Sequence, residues 1–166
     1  MKNEKVLLND EAISRLKSLA EEIKICMFCS ELNTLPIKSI PLCINQVDDK
    51  GNIWFISSSS NNRNFVSTKS ESVQLFFSCL SDSIFLSVFG EVKIYSDISE
   101  VENIWDAVGK AWFEESINDS NVKVIKVSPT DVFYWDANEN KISLEINSKN
   151  TSKKNEVNYE KVSISA

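Results

Sequence analysis

The sequence predicts a mainly β protein, a small antiparallel barrel of about six to seven strands with two or three short peripheral helices. Short apolar runs, rich in β-branched and aromatic residues, recur along the chain between polar turn residues. The runs follow one another closely, so strands adjacent in sequence are expected to pair. Gly90 interrupts the long run Ile84 to Tyr95, and a lone glycine inside a strand indicates a bulge or a bend, as in a closing barrel.

A helix is predicted at the start of the chain, over about residues 9–23. Asn9 and Asp10 are its candidate caps, and apolar side chains then recur at helical spacing. These side chains are Ile13, Leu16, Leu19, Ala20 and Ile23. The helix is therefore expected to pack one apolar stripe against the sheet.

A short apolar strand, Ile25 to Cys29, carries a Cys-x-x-Cys pattern. One interpretation is a thiol redox pair or half of a metal site. The other is a pair of buried structural thiols, because a strand places Cys26 and Cys29 on opposite faces. Cys43 and Cys79 stand alone in other apolar strands, so the structural interpretation is favoured and no metal site is predicted.

The central stretch predicts a hairpin. Ile40 to Ile44 and Ile53 to Ile56 are apolar, and residues 48–52 between them combine aspartates with a glycine. The second strand is apolar on both faces, so each face must be covered. Burial in a homodimer is the simplest cover.

A polar loop after this hairpin is a candidate anion site. Ser57 and Ser58 begin a run of four serines, and Asn62 and Arg63 follow at the start of a predicted short helix. Backbone N–H groups at a helix start and a bidentate guanidinium both suit a phosphate. The alternative is a solvated polar connection, which serine runs usually form.

The C-terminal half predicts five strands around a second helix. The strands are Val73–Cys79, Ile84–Tyr95, Val122–Val127, Val132–Asp136 and Ile142–Ile146. The helix begins at Asp97 or Ser99 and ends near Gly109. One-sided lysines place the third strand at an edge or an exposed face, and Ser128-Pro129-Thr130 is expected to end it. The last two strands form a hairpin.

Residues 1–146 are expected to form one domain, and the Ser-, Lys- and Asn-rich residues 147–166 a flexible tail. The net charge of −6 disfavours nucleic acid and anionic membranes as partners. No apolar run reaches a membrane-span length, and the first residues are too charged for a secretion signal. We therefore expect a cytoplasmic protein.

The absence of histidine and the scarcity of glycine exclude several classes of catalytic and binding site. Histidine is absent, which excludes Ser-His-Asp and Cys-His catalysis and most zinc sites. The chain has 3 glycines, too few for a dinucleotide fingerprint or a phosphate-binding P-loop. A phosphorylated cofactor would have to bind by other means.

Several segments, in one order, form a recognisable pattern. They are Pro41-Leu42, Asp48 to Ser58, Gly90-Glu91-Val92, Lys110-Ala111-Trp112-Phe113, Val127-Ser128-Pro129 and Tyr134-Trp135-Asp136. The pattern, from about Leu8 to Asp136, resembles the general stress protein 26 family of pyridoxamine 5'-phosphate oxidase-like split barrels. This resemblance implies a split β-barrel homodimer with flavin mononucleotide (FMN) in two clefts at the dimer interface.

The resemblance assigns site residues by position. The backbone of Ile40, Pro41 and Leu42 would follow the isoalloxazine edge of the flavin, and Ser57 and Ser58 would lie near the ring and the ribityl phosphate. Asn62 and Arg63 fall on the phosphate-binding position, and Trp135 on an aromatic residue that borders the cleft. A guanidinium at position 63 suits a phosphate on independent grounds.

The chain also departs from the pattern. Ile40 replaces an arginine that in the family often holds the phosphate, and losing one charge-assisted contact weakens binding by about 1.5–3 kcal/mol. Phe85 stands where oxidase relatives carry a glutamine. The pyridoxal-phosphate-binding arginine and histidine have no counterpart, which argues against true pyridoxamine-phosphate oxidase activity.

Three functions follow. The first is an FMN-binding protein of the general-stress kind, with FAD or a deazaflavin as other cofactors and flavin-dependent oxidoreduction of an unknown substrate left open. No side chain is an obvious acid or base, so no catalytic residue is named. The second is a non-enzymatic dimeric binding or regulatory module that has lost tight cofactor binding, motivated by Ile40. The third is a thiol redox protein using Cys26 and Cys29.

Overall fold

The computed structural model describes residues 5–58, 71–95, 122–138 and 140–146. In these ranges the chain forms nine strands and one helix. They are β1 (Lys5–Leu8), α1 (Asn9–Ile23), β2 (Ile25–Ser30), β3 (Lys38–Cys43), β4 (Gln46–Val47), β5 (Ile53–Ser58), β6 (Ser72–Cys79), β7 (Ile84–Tyr95), β8 (Val122–Trp135) and β9 (Lys141–Glu145).

The strands form one open sheet in the order β1-β9-β8-β7-β6-β2-β3, with β5 branching from β8 and pairing with β4. All pairs are antiparallel except β1 with β9. The predicted mainly β split-barrel class is therefore confirmed. The strand number is larger than predicted because the short strands β1 and β4 carry too few residues for a clear period-two pattern.

Helix α1 covers the inner face of the sheet. Its fully or nearly buried residues are Ala12, Leu16, Leu19 and Ala20, which pack with sheet residues such as Phe28 and Phe55. The predicted helix bounds are confirmed. The predicted caps are wrong, because the N-cap position falls on Leu8, which makes no side-chain cap hydrogen bond.

The predicted hairpin has a different partner strand. β5 pairs with the two-residue strand β4, through Gln46 opposite Trp54 and Val47 opposite Ile53. β3, which was expected to pair with β5, pairs instead with β2. The prediction was wrong because two apolar runs around one turn were taken as partners, whereas residues 44–45 carry the chain away from β3 before the hairpin begins.

The predicted break at Ser128-Pro129-Thr130 is also wrong, since β8 runs without interruption from Val122 to Trp135. The irregularity there is a register shift in the β7–β8 ladder between Phe89 and Gly90. A Cβ atom on Gly90 would lie 2.4 Å from the Ser128 carbonyl oxygen. The predicted bulge at Gly90 is thus confirmed, and it accommodates Pro129 within the strand.

Strand β5 is covered within one chain. Ile53 and Phe55 are fully buried and Trp54 is 6% exposed, so the argument for a dimer from this strand is wrong. The N-terminal half of β8 is not an edge either, because it pairs with β5 on one side and β7 on the other. Lys126 there lies half-buried, with its ammonium 5.8 Å from the centre of the Trp54 ring.

Some predictions fall outside the described residues. These are the short helix after Asn62, the helix between Asp97 and Gly109, and the C-terminal tail from residue 147. Within the described ranges, the helix present is too short and too polar to cross a bilayer.

Candidate functional site

Strand β3 carries three of the predicted site residues and lies at an end of the sheet. Ile40, Pro41 and Leu42 pair with Phe28, Met27 and Cys26 of β2, respectively. Among the described strands β2 is the only hydrogen-bonded neighbour of β3. The other edge of β3 therefore offers backbone groups to a ligand or to chain outside the described ranges.

Side chains alternate along β3. Leu42 is buried and Ile40 is half-buried against the core, whereas Pro41 and Cys43 are exposed. The strand consequently presents backbone, a pyrrolidine ring and a thiol to its surroundings, without a charged group at position 40. This surface suits the flat, uncharged edge of an aromatic ring better than a phosphate.

A cavity opens where β3 and β5 diverge. The Asn45 N–H donates to the Trp54 carbonyl at 2.7 Å, and beyond this bond no ladder joins the two strands within the described residues. The cavity has a volume of about 580 Å³. Its described lining is Glu21, Lys24, Cys43, Ile44, Asn45 and Ile56. This volume falls within the range of small-molecule and cofactor sites.

Ser57 and Ser58 end β5, one and two residues after Ile56 of the cavity lining. Their backbones pair with Lys123 and Val122 of β8. Cys43, the last residue of β3, and Ile56 of β5 thus lie on two sides of one opening, and the assignment of Ile40–Leu42 and Ser57-Ser58 to a binding site stays a prediction. Asn62 and Arg63 lie outside the described residues.

Asp48 fixes the hairpin that carries β5. Its Oδ2 accepts hydrogen bonds from Trp54 Nε1 at 2.8 Å and Asn52 Nδ2 at 3.1 Å. Its Oδ1 accepts from the backbone N–H groups of Lys50 and Asn52, each at 2.9 Å. Burial raises the pKa of this carboxyl, but the donated hydrogen bonds outweigh burial, so its pKa lies below the usual value.

This network was missed from the sequence. The aspartate was assigned to the turn, but its bond to the Trp54 indole was not predicted. The available signal was an aspartate six residues before a tryptophan across a tight turn. Trp54 also stacks on Tyr95, with ring centres 6.2 Å apart. Trp54 therefore belongs to a small buried cluster with Tyr95 and Val124, against which Ile56 packs.

Trp135 lies at the end of β8, four strands away from β3 in the order of the sheet. It ends β8, opposite Phe85 of β7 and Lys141 of β9. β8 is four strands from β3 in the sheet order, a separation of roughly 19 Å along the sheet. No described strand pairing places Trp135 beside Pro41 or Leu42 within one chain.

The sheet carries an exposed apolar surface, which we call the outer face and define by Met27, Phe76, Phe85 and Trp135. These side chains are 41%, 48%, 41% and 38% exposed. Met27 lies opposite Phe76, and Phe85 lies opposite Trp135. Four large apolar side chains on adjacent strands form a patch of the kind that marks an interaction surface.

The cysteines of β2 do not resemble a redox pair. Cys26 is 2% exposed and Cys29 is 8% exposed. Burial raises the pKa of Cys26, with the nearby Cys29 and Cys43 adding to the shift, and burial also raises the pKa of Cys29. A reactive thiol needs a lowered pKa and access, so the redox hypothesis is wrong and the prediction of buried thiols is confirmed.

Comparison with known protein families identifies one match. A family model described as "Pyridoxamine 5'-phosphate oxidase like" matches residues 11–158, which include β3, β5 and the whole of β8. No curated protein sequence matches the chain at a significant level.

Solved structures share the fold at low sequence identity. A Clostridium acetobutylicum protein, named as related to general stress protein 26, has a TM-score of 0.61 and 16% identity over 81% of this chain and 94% of its own. A Xanthomonas citri protein, named a general stress FMN/FAD binding protein, has a TM-score of 0.54 and 21% identity over 75% and 87%. A Nostoc punctiforme protein, named as pyridoxamine 5'-phosphate oxidase-related and FMN binding, has a TM-score of 0.53 and 14% identity over 78% and 83%.

Proposed function

We propose, from the premise that the chain belongs to the pyridoxamine 5'-phosphate oxidase-like family, that it is a flavin-binding protein of the general-stress kind whose cofactor is FMN. The observation that carries this proposal is the open edge of β3 beside a cavity of about 580 Å³. A strand edge without a described partner, next to a cavity of cofactor size, fits a planar heterocycle with its own hydrogen-bonding edge.

Different residues of this chain would bind different parts of the cofactor. The backbone of Ile40, Pro41 and Leu42 would hold the ring edge, while Ser57 and Ser58 would hydrogen-bond the ring and ribityl chain. Asn62 and Arg63 would hold the phosphate, for which a guanidinium is well suited. This division also explains how an apolar Ile40 is tolerated, since it lies at the strand edge rather than in the phosphate loop.

A bound flavin supplies hydride or electron transfer, while the protein provides position and electrostatics. The exposed pyrrolidine ring of Pro41 would exclude water from one side of the flavin ring, while Leu42 anchors the strand in the core. Among the described cavity residues, Glu21 is the one carboxylate, and its Oε1 accepts a hydrogen bond from the Val47 N–H at 3.2 Å. We therefore assign no general acid or base to the chain, and we propose an oxidoreductase whose proton transfers involve substrate and water.

We further propose a cytoplasmic homodimer that pairs through the outer face. Two features support the dimer: the exposed patch formed by Met27, Phe76, Phe85 and Trp135, and the roughly 19 Å that separates Trp135 from β3 along one sheet. A symmetric partner would cover the patch and bring its own Trp135 to the cleft. The free cysteines fit a reducing compartment.

Titration with FMN tests the proposal. We expect saturable quenching of flavin and tryptophan fluorescence at one FMN per chain. The variant Arg63→Met should weaken binding about tenfold to a hundredfold, because one charge-assisted phosphate contact is lost. Lys50→Met, an exposed lysine in the β4–β5 turn, is the matched control and should bind like the native chain. Absence of uptake by the folded protein would overturn the proposal.

A second candidate is the dimeric binding or regulatory module without tight cofactor binding. It is favoured by Ile40, whose side chain packs on the core where a phosphate-binding cation would be expected. In this case the native chain binds FMN weakly, and Ile40→Arg tightens binding about tenfold or more. Nanomolar binding by the native chain, with no gain in Ile40→Arg, would exclude this candidate.

A further inference from the structure

Lys24 has an unusual backbone at the end of α1. Its φ is 70° and its ψ is −41°, in the half of conformational space that residues with a Cβ rarely adopt. Glycine is the residue preferred with a positive φ at a helix C-terminus. The chain instead keeps a lysine there, which points to a use for its side chain.

The backbone of Lys24 is held on both sides. Its N–H donates to the Ala20 carbonyl at 2.8 Å, and its own carbonyl accepts from the Ile44 N–H at 2.8 Å. The side chain therefore starts from a point fixed between α1 and the end of β3. A fixed starting point lowers the entropy that a long side chain loses on binding a ligand.

Lys24 lines the cavity between β3 and β5, and it is the one cation among the described lining residues. Glu21, three residues earlier, directs Oε1 to the Val47 N–H at 3.2 Å. Within the described residues, no carboxylate forms an ion pair with the Lys24 ammonium. Cys43, Asn45 and Ile56 complete a lining of mixed polarity around this charge.

The cavity follows the ring end of the proposed flavin site. Cys43 to Asn45, which line the cavity, come directly after Leu42 along the chain. A group in the cavity would therefore lie beside the flavin ring, whose edge the proposed function places along Ile40 to Leu42. That is where a reactant must approach the ring.

We propose that the part of this cavity around Lys24 is the substrate compartment of the flavin cleft, and that Lys24 binds an anionic group, a carboxylate or a phosphate, of the substrate there. The identification of the bound anion as part of a substrate rests on the proposed flavin function. The anion site itself depends only on Lys24 and the cavity. A compact ammonium suits either anion, because it acts as a point charge without a fixed fork geometry.

Cys43 provides a direct test, because its exposed thiol lines the same cavity. In the protein without added flavin, the alkylation rate of Cys43 is measured with iodoacetate and with iodoacetamide, by mass spectrometry of its peptide. The ratio of the two rates reports the local potential, since both reagents attack the same thiolate. Cys79 is the internal reference, with Asp82 Oδ2 3.6 Å from its sulfur.

We expect Lys24→Met to lower the iodoacetate-to-iodoacetamide ratio at Cys43 by about threefold to tenfold, as loss of a nearby charge predicts. The ratio at Cys79 should stay unchanged, and Lys50→Met should change neither. Lys24→Gly should lower the ratio equally while keeping or raising the thermal stability, because glycine relieves the backbone. Unchanged ratios at Cys43 in both Lys24 variants overturn the inference.

The FMN-loaded protein separates this inference from the flavin proposal. Acetate and inorganic phosphate should each perturb the flavin absorption saturably in the native chain, and the better of the two identifies the anion. Neutral acetamide should not perturb the flavin absorption. Lys24→Met should weaken the affinity for the anions at least about tenfold. If FMN binds but anions act equally on both proteins, the inference alone fails. If FMN does not bind, the flavin function and the substrate compartment fail, whatever the ratios at Cys43 show.

Discussion

Asp48 shows how one side chain can fix the geometry of a binding strand. It accepts hydrogen bonds from Lys50 and Asn52 within the turn and from the Trp54 indole beyond it. Gly51 completes the turn at φ 87°, a conformation that glycine adopts without strain. Because Trp54 lies in β5, the carboxylate couples the turn to the strand that ends at Ser57 and Ser58.

We expect Asp48→Ala to lower the free energy of unfolding by about 1–3 kcal/mol, since the Trp54 indole loses its acceptor. Urea denaturation measures this change. The lowered pKa of Asp48 adds a pH dependence: the stabilisation is present above the unfolded-state pKa and is lost as pH falls through the folded-state pKa. The stability difference between native and variant should therefore shrink in acid. A difference that is constant with pH would contradict this role.

At the residue scale, the sequence predicted local chemistry better than contacts across space. The turn residues, the bulge at Gly90 and the burial of Cys26 and Cys29 followed from local patterns. The bond from Trp54 to Asp48 and the unusual backbone of Lys24 did not, because both depend on how α1 and the hairpin meet. Asn62 and Arg63 stay predictions.

At the element scale, the register shift between β7 and β8 lets one long strand serve two parts of the sheet. β8 pairs with β5 through its N-terminal half and with β9 through its C-terminal end. Gly90 permits this by bringing its backbone against Ser128 and Pro129. The same strand, β8, therefore pairs with Ser57 and Ser58 near its start and ends at Trp135.

Gly90→Ala should lower the free energy of unfolding by about 1–3 kcal/mol, because its Cβ would lie 2.4 Å from the Ser128 carbonyl oxygen and the backbone must shift. Thermal denaturation provides the measurement. Lys93→Ala, an exposed position on the same strand, is the control and should change stability by no more than about 0.5 kcal/mol. Equal stability of the two variants would show that the close approach is not needed.

The prediction of strand partners failed where strands pair with partners that are not adjacent in the sequence. Apolar runs located β3, β5, β6 and β7 well, and α1 to the residue. Partners were assigned by proximity in sequence, which gave the wrong neighbour for β3. Short strands such as β4 leave almost no periodic signal.

At the scale of the whole molecule, the outer face decides whether the chain acts alone. Phe76 and Phe85 lie on adjacent strands of this face with Met27 and Trp135 beside them. Apolar surface of this kind on several adjacent strands is costly in water and is normally covered. In the proposed dimer, a symmetric copy would provide the cover and leave two equivalent clefts.

Phe76→Glu should raise the dimer dissociation constant at least about a hundredfold, because the interface would bury an unpaired charge. Sedimentation equilibrium gives the constant, and circular dichroism checks that the fold is kept. Leu80→Glu is the control: the leucine is 80% exposed in the turn after β6, outside the outer face. A native chain that is monomeric at micromolar concentration would contradict the dimer.

Complementation between two variants tests the central claim, a flavin site built from two chains, most directly. In the proposed site, Arg63→Met would lack the phosphate contact and Trp135→Ala would lack the aromatic border, so each homodimer should bind FMN weakly. When equal amounts are mixed and allowed to exchange, half of the dimers are mixed, and each mixed dimer has one site with both native residues. The account predicts that about a quarter of all sites regain native FMN affinity. No recovery after exchange, or full affinity in Trp135→Ala alone, would contradict it.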